Sequence, residues 1–194
     1  MRKTNFKVDI IPILFLTVVV CVSVIALAYV NSITYEKIET AKLDAFKEKL
    51  SVHFADMTDF TSNDANDCYI VFTNDDIAGY AVKATGSGYG GTIELLVALE
   101  PTNIISTDDL IIRGLSVISH SETPGLGDKI TKSSFQNQFM GVAFSGIELS
   151  KTGGAIDAIS GATISSKGVI NGIVSSIEAR FDSLVELVSS VEVS

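Results

Sequence analysis

From Ile10 to Val30 the chain carries no charged residue, and an uncharged run of that length leaves few structural options. Twenty-one residues in a helix rise roughly 30 Å, the thickness of the hydrocarbon core of a bilayer. In lipid the backbone must satisfy its own hydrogen bonds, so a single such segment has to be helical. Pro12 is compatible with this, because the first helical turn has no internal donor to lose. A cleaved signal peptide is the competing reading, since Ala26-Leu27-Ala28 fits a small-x-small cleavage pattern. Length weighs against it, because the apolar part of a signal peptide normally has only about 7–15 residues. Cys21 follows Val18-Val19-Val20, where a lipid-attachment site would have small residues.

Arg2, Lys3 and Lys7 precede the run, whereas Asn31 to Tyr35 carry no positive charge. The positive-inside tendency then predicts a single-pass protein of the plasma (inner) membrane, with residues 1–9 cytoplasmic, 10–30 spanning and the remainder on the extracytoplasmic, periplasmic or outer side. That exported part holds 11 Lys+Arg and 22 Asp+Glu, a balance of −11. Such a domain repels phosphate backbones and is unsuited to nucleic acid. It contains one cysteine, Cys68, hence no intrachain disulfide framework, and a buried free thiol is the expectation. His53 and His120 without a cysteine cluster give no zinc signature.

After the span, Tyr35–Leu50 reads as an amphipathic helix with Ile38, Ala41, Ala45 and Phe46 at helical spacing, a stalk or the first helix of the domain. Residues 56–76 read as a loop, a short strand at Cys68–Phe72, and a turn at Asn74-Asp75-Asp76. Strand character follows at Ile77–Thr85, Thr92–Leu99 and Leu110–Ser119, with a flexible glycine stretch at 86–91. A short helix is expected at Lys129–Phe139. Ile170, Ile173, Val174, Ile177, Phe181, Leu184, Val185 and Val188 recur at the spacing of a buried helix face, with Ser165 or Ser166 as a cap. Strands interspersed with helices make the class α+β: one N-terminal membrane helix, then a domain with a twisted sheet and flanking helices. The working division is 31–78 for the stalk and first part of the exported domain, and 79–188 for its main body.

Asp157-Ala158-Ile159-Ser160-Gly161-Ala162-Thr163 therefore runs into a helix N-terminus. A glycine turn ahead of a helix offers free N–H groups and the positive end of the helix dipole, which favour a phosphate. An ordinary cap reads the same way, so both interpretations stand on residue chemistry alone. A second loop, His120-Ser121-Glu122-Thr123-Pro124-Gly125-Leu126-Gly127, has Pro124 to fix one turn dihedral and two glycines to allow close backbone approach. It is either a rigid structural turn or part of a ligand pocket. His120 and Glu122 lack the further ligands a metal site needs.

The run Asp157-x-x-Ser160-Gly161-Ala162-Thr163-x-Ser165 resembles the flavinylation motif of the FMN-binding domain family, and Glu122-Thr123-Pro124-Gly125-Leu126-Gly127 resembles that family's upstream loop. Gly88-Tyr89-Gly90-Gly91 is similar but less specific. The resemblance covers roughly residues 79–181. Within the family it is most similar to the G subunits of Rnf-type ion-translocating electron-transport complexes, with the C subunit of the sodium-pumping NADH:quinone reductase as the near alternative.

The resemblance implies an FMN held through a phosphoester on Thr163, with Ser160, Gly161, Ala162, Ser165 and Asp157 in its loop and Glu122, Thr123, Leu126 and Gly127 bordering the flavin. A threonine hydroxyl is a weak nucleophile without a positioned base or metal. The resemblance accordingly implies a separate magnesium-dependent flavin transferase that uses FAD, with Thr163 as acceptor and not as catalyst. It further implies an electron carrier with little turnover alone, working beside other membrane, iron–sulfur and flavin subunits. An exported redox sensor or assembly module is the alternative of a different class. The acidic surroundings are expected to disfavour an anionic reduced flavin and so lower its potential.

Overall fold

The computed structural model describes residues 6–63, 67–74, 76–101 and 104–192. The chain forms two compact units, one up to Ala45 and one from Phe46 onward. Helix α1, Phe6–His53, contributes to both. Arg2, Lys3 and Asp75, and the side chains of Lys7, Ile38 and Ala41, lie outside the described residues.

In the first unit, Ile13–Asn31 is long and apolar enough to cross a membrane and buries none of its side chains within the protein. Its two aliphatic hydroxyls are satisfied internally: Thr17 Oγ1 donates to the Ile13 carbonyl and Ser23 Oγ to that of Val19, each at 2.9 Å. That removes the cost an unpaired hydroxyl would carry in hydrocarbon.

The second unit is built on a five-stranded antiparallel meander in the order β1-β2-β3-β4-β5: β1 Asp59–Asn63, β2 Cys68–Thr73, β3 Asp76–Ser87, β4 Thr92–Leu99 and β5 Ile112–Ser119. Because side chains alternate across a strand, neighbouring residues enter two different cores. Ile70, Val82, Ala84, Leu95, Val97 and Leu115 point into the larger one, covered by the C-terminal helix α3, Thr163–Glu192. Tyr69, Val71, Ala81, Leu96 and Ala98 point the other way, where Phe46 and Leu50 from the end of α1, and Phe54 beyond it, cover them. A strand buried on both faces reads as a continuous apolar run, which is why Leu95–Leu99 shows no polar alternation.

Arg113 of β5 holds the end of α1 in place. Its Nε donates to the last helical carbonyl, of His53, at 2.9 Å, and its guanidinium lies 4.8 Å from the centre of the Phe54 ring. His53 Nε2 meets Ser116 Oγ at 2.9 Å. Across the sheet, α3 lies at backbone contact with β3: Gly168 and Gly172, one turn apart, face Gly86 with no room for a Cβ.

Several expectations need correction. The polar segment Asp59–Asn63, read as loop, is the edge strand β1, paired as Thr61↔Ile70. Its apolar contribution is one residue, Phe60, whose ring meets those of Phe46 and Tyr69 at 6.0 Å. The helix expected at Lys129–Phe139 is instead a 3-10 turn at Gly127–Thr131, the single-turn α2 at Ser133–Gln136 and a 3-10 turn at Asn137–Phe139. Ile130 and Phe135, five residues apart, are both buried. A regular helix would place them on different faces, and the extended Lys132 between them turns both inward. The glycine stretch is partly strand, since Gly86 and Ser87 complete β3 opposite Ile93 and Thr92. Neither Ser165 nor Ser166 precedes α3; both lie in its first turn.

Candidate functional site

Three loops meet at the N-terminal end of α3. Gly161 is left-handed (φ +79°), the conformation glycine adopts without strain, and it turns the chain into the helix. The Ala162 N–H donates to the Ile159 carbonyl at 2.9 Å, and the first helical bond runs from the Ser166 N–H to the Ala162 carbonyl at 3.0 Å. The N–H groups of Thr163, Ile164 and Ser165 therefore have no intrahelical acceptor. Ser166 Oγ accepts from the Ile159 N–H and donates to the Ala162 carbonyl, each at 3.0 Å, which staples the loop to the helix it precedes. Thr163, the first residue of α3, is exposed, and no acidic residue occupies the first turn. The arrangement presents a free hydroxyl beside main-chain donors at the positive end of a 30-residue helix.

The second loop is drawn against the first by Glu122, which is 6% exposed. Its Oε2 accepts the hydroxyl of Ser165 at 2.5 Å, and its Oε1 accepts the N–H of Gly90 at 2.8 Å. The Glu122 N–H in turn donates to His120 Nδ1 at 3.1 Å. Gly127 sits where a Cβ would come within 2.6 Å of Glu122 Oε2 and 2.8 Å of Ser165 Oγ, so a side chain there would push the two loops apart. Gly88 and Gly90 are similarly crowded by the Glu122 carboxylate and the Ser121 carbonyl. Above this buried junction lie the exposed Thr123, Leu126 and Ile164. Leu126 Cδ1 is 3.0 Å from where a Cβ on Gly161 would stand.

The residues singled out from sequence thus divide. Thr163, Ser160, Gly161, Thr123 and Leu126 are at the surface; Ala162, Ser165, Glu122 and Gly127 are inside. Asp157 is exposed, but its bonds run to a different part of the domain. Its Oδ1 accepts from Ser150 Oγ at 2.5 Å, its N–H donates to Gln138 Oε1 at 2.7 Å, and its carbonyl accepts from Gln138 Nε2 at 3.4 Å. Asp157 also lines a depression of about 330 Å³ together with Lys129, Lys132, Phe135 and Gln138. Gln138 and Ser150 were not among the residues expected to matter, and no motif in the sequence marks them.

The fold and site define a class: an antiparallel α+β domain whose exposed helix-start threonine, backed by free N–H groups and glycine-tight loops, suits a phosphate-bearing group. Residues 88–178 match the FMN-binding domain family. The G subunit of the ion-translocating oxidoreductase complex of Methanosarcina acetivorans is 42% identical over 108 residues, 56% of this chain and 54% of that protein. The G subunit of the proton-translocating ferredoxin:NAD(+) oxidoreductase complex of Clostridium ljungdahlii is 34% identical over 167 residues, 84% of this chain and 86% of that protein. The match spans about half the length of several relatives, as it does for the corresponding G subunit of Haemophilus influenzae, 37% identical over 50% of its length. Among solved structures, Shewanella oneidensis NqrC is similar with a TM-score of 0.48 and 26% identity over 61% of this chain and 60% of that one. The chain belongs to the FMN-binding domain family.

Proposed function

We propose that this chain is a membrane-anchored electron-transfer subunit of an ion-translocating oxidoreductase complex, carrying FMN esterified through its phosphate to Thr163. The observation that carries the reading is the placement of Thr163: an exposed hydroxyl on the first residue of α3, ahead of the first intrahelical bond. The residues present fit a phosphoester. The free N–H groups of Thr163, Ile164 and Ser165 suit its remaining negative charge, a preference worth some tenths to about 1 kcal/mol at a helix terminus. Gly161 keeps the approach open, and the exposed Thr123 and Leu126 offer the polar and apolar border an isoalloxazine ring requires. The bound flavin would supply one- or two-electron exchange, and the protein supplies its attachment and orientation. A covalent bond also prevents loss of the cofactor from a domain on the outer side of a membrane.

The apolar segment Ile13–Asn31 would anchor the chain, with the N-terminus cytoplasmic and the flavin domain extracytoplasmic. Partners would be the other membrane, iron–sulfur and flavin subunits of the complex, plus a flavin transferase for maturation.

The test is coexpression of the full chain with a magnesium-dependent flavin transferase, followed by a denaturing gel and peptide mass spectrometry. Fluorescence that survives unfolding and maps to the Thr163 peptide is expected, and Thr163→Ala abolishes it. A wild-type chain that is colourless after unfolding, with that peptide unmodified, refutes the reading. Isolation from native membranes with iron–sulfur subunits tests the assembly.

A further inference from the structure

We propose that Glu122 is a positioning residue: acting through Ser165, it fixes the first turn of α3 and thereby aims the Thr163 hydroxyl, without itself contacting the flavin. This rests on the reading of Thr163 as the flavin acceptor. A carboxylate withdrawn from water is costly unless its oxygens are partnered. Glu122 is 6% exposed and has a donor for each oxygen, Gly90 N–H on one and Ser165 Oγ–H on the other. Bonds to an ionised acceptor are among the stronger ones available. Both oxygens are thus engaged by protein donors, and the side chain is nearly withdrawn from the surface where a ligand would lie.

Its bonds join three segments far apart in sequence: the β3–β4 turn, the loop after β5 and the start of α3. Ser165, 1% exposed, is two residues beyond Thr163 in the same helical turn. Anchoring Ser165 sets the rotation of that turn, which decides where the Thr163 hydroxyl and the three free N–H groups point. Gly88, Gly90 and Gly127 are the complement of this arrangement, since a Cβ at any of them would strike Glu122 or its neighbour Ser121. In the transfer step an oxygen–phosphorus bond forms at Thr163 Oγ1 while the pyrophosphate bond of FAD breaks. AMP leaves with the bridging oxygen, and the hydroxyl proton passes to the transferase. Glu122 exchanges no proton in this step; its contribution is the direction of the acceptor.

The experiment measures flavin transfer from FAD to the full-length protein in detergent by purified transferase, with kcat and KM for the protein acceptor obtained separately. Because Glu122 is buried, Glu122→Ala takes almost no side-chain atoms from the surface met by the transferase. Its kcat is expected to fall at least about tenfold, the scale of a misplaced reacting group, with KM little altered. Glu122→Gln is expected to recover kcat to within about threefold, since the amide oxygen accepts from Gly90 and the amide N–H₂ donates to Ser165. An unchanged kcat in folded Glu122→Ala, a loss confined to KM, or failure of a folded Glu122→Gln to rescue overturns the proposal. Should Glu122→Ala not fold, Ser165→Ala carries the test: a lowered kcat supports the proposal and a wild-type kcat overturns it. A wild-type chain that takes no flavin refutes the Thr163 reading itself, whereas a labelled wild type with an equally labelled Glu122→Ala refutes the positioning role alone.

Discussion

Replacing Gly172 by alanine separates helix propensity from packing, because the two effects oppose each other. In an exposed helix interior the change is favourable by about 1 kcal/mol. Here the new Cβ would stand 2.7 Å from Gly86 Cα, 2.8 Å from Gly86 N and 2.9 Å from the Thr85 carbonyl carbon. Carbon atoms prefer separations of about 3.5–4.0 Å, so α3 has to withdraw from β3 by roughly 1 Å at this point. The obstructing atoms are backbone of a strand paired on both sides, so no side chain can swing away. Overpacking of this kind costs about 1–3 kcal/mol, and a rigid neighbour puts the value at the upper end. Subtracting the propensity gain leaves a net loss of about 2 kcal/mol, or about 4–8 °C in Tm for a domain of this size. Thermal melting of the full-length protein in detergent measures it, with the exposed Asn171→Ala as the helix-propensity control. A Gly172→Ala chain that melts at or above the wild-type temperature would refute the close-contact account. The same withdrawal shifts the helix that bears Thr163, so slower flavin labelling should accompany the lowered Tm.

Cys68 is fully buried and its thiol is pushed up to about 11, chiefly by desolvation. In a Cys21→Ser background it should resist iodoacetamide in the folded protein near pH 8 and react in denaturant; labelling at the free-thiol rate without denaturant would contradict the burial. Burial first, then the charges of Arg113 and Lys49, hold His53 below the usual histidine value. Its neutral form is thus the one the fold accommodates, and the associated stability is complete above about pH 6.5 and lost as pH falls through the lowered value. Tm should accordingly drop between about pH 7.5 and pH 5.5, with a shallower drop in His53→Gln, and identical slopes would exclude His53 as the source. Arg113→Ala removes the bonds to the His53 and Ala78 carbonyls and the stacking on Phe54. It should destabilise the domain by about 1–3 kcal/mol in urea titration, and an unchanged midpoint would show the clasp to be dispensable.

Elements that bury a continuous surface announce themselves in sequence, and those that do not are hidden. Thr92–Leu99 and the face of α3 through Ile173, Ile177 and Leu184 were legible because burial on both faces of a strand, or along one stripe of a helix, dictates residue type directly. Strand β1 was not, since it contributes one ring to the core and is held by its ladder to β2, a backbone interaction that any polar residue can make. The interruption at Lys132 was hidden for a related reason: it depends on where Ile130 and Phe135 find space, which is a property of the sheet beneath them. At the candidate site, the motif spacing singles out Thr163 and its loop but does not tell surface from interior. Glu122 and Ser165 are separated by 43 positions, yet share a hydrogen bond inside the domain. Thr123 and Leu126, beside Glu122 in the same loop, are exposed. The sequence pattern alone does not show that the Glu122 carboxylate is buried with a protein donor on each oxygen. On the proposed reading, the chemical specificity of this domain rests on few exposed atoms, the Thr163 hydroxyl and the N–H groups around it, while the buried Glu122, bonded to Ser165, maintains their geometry.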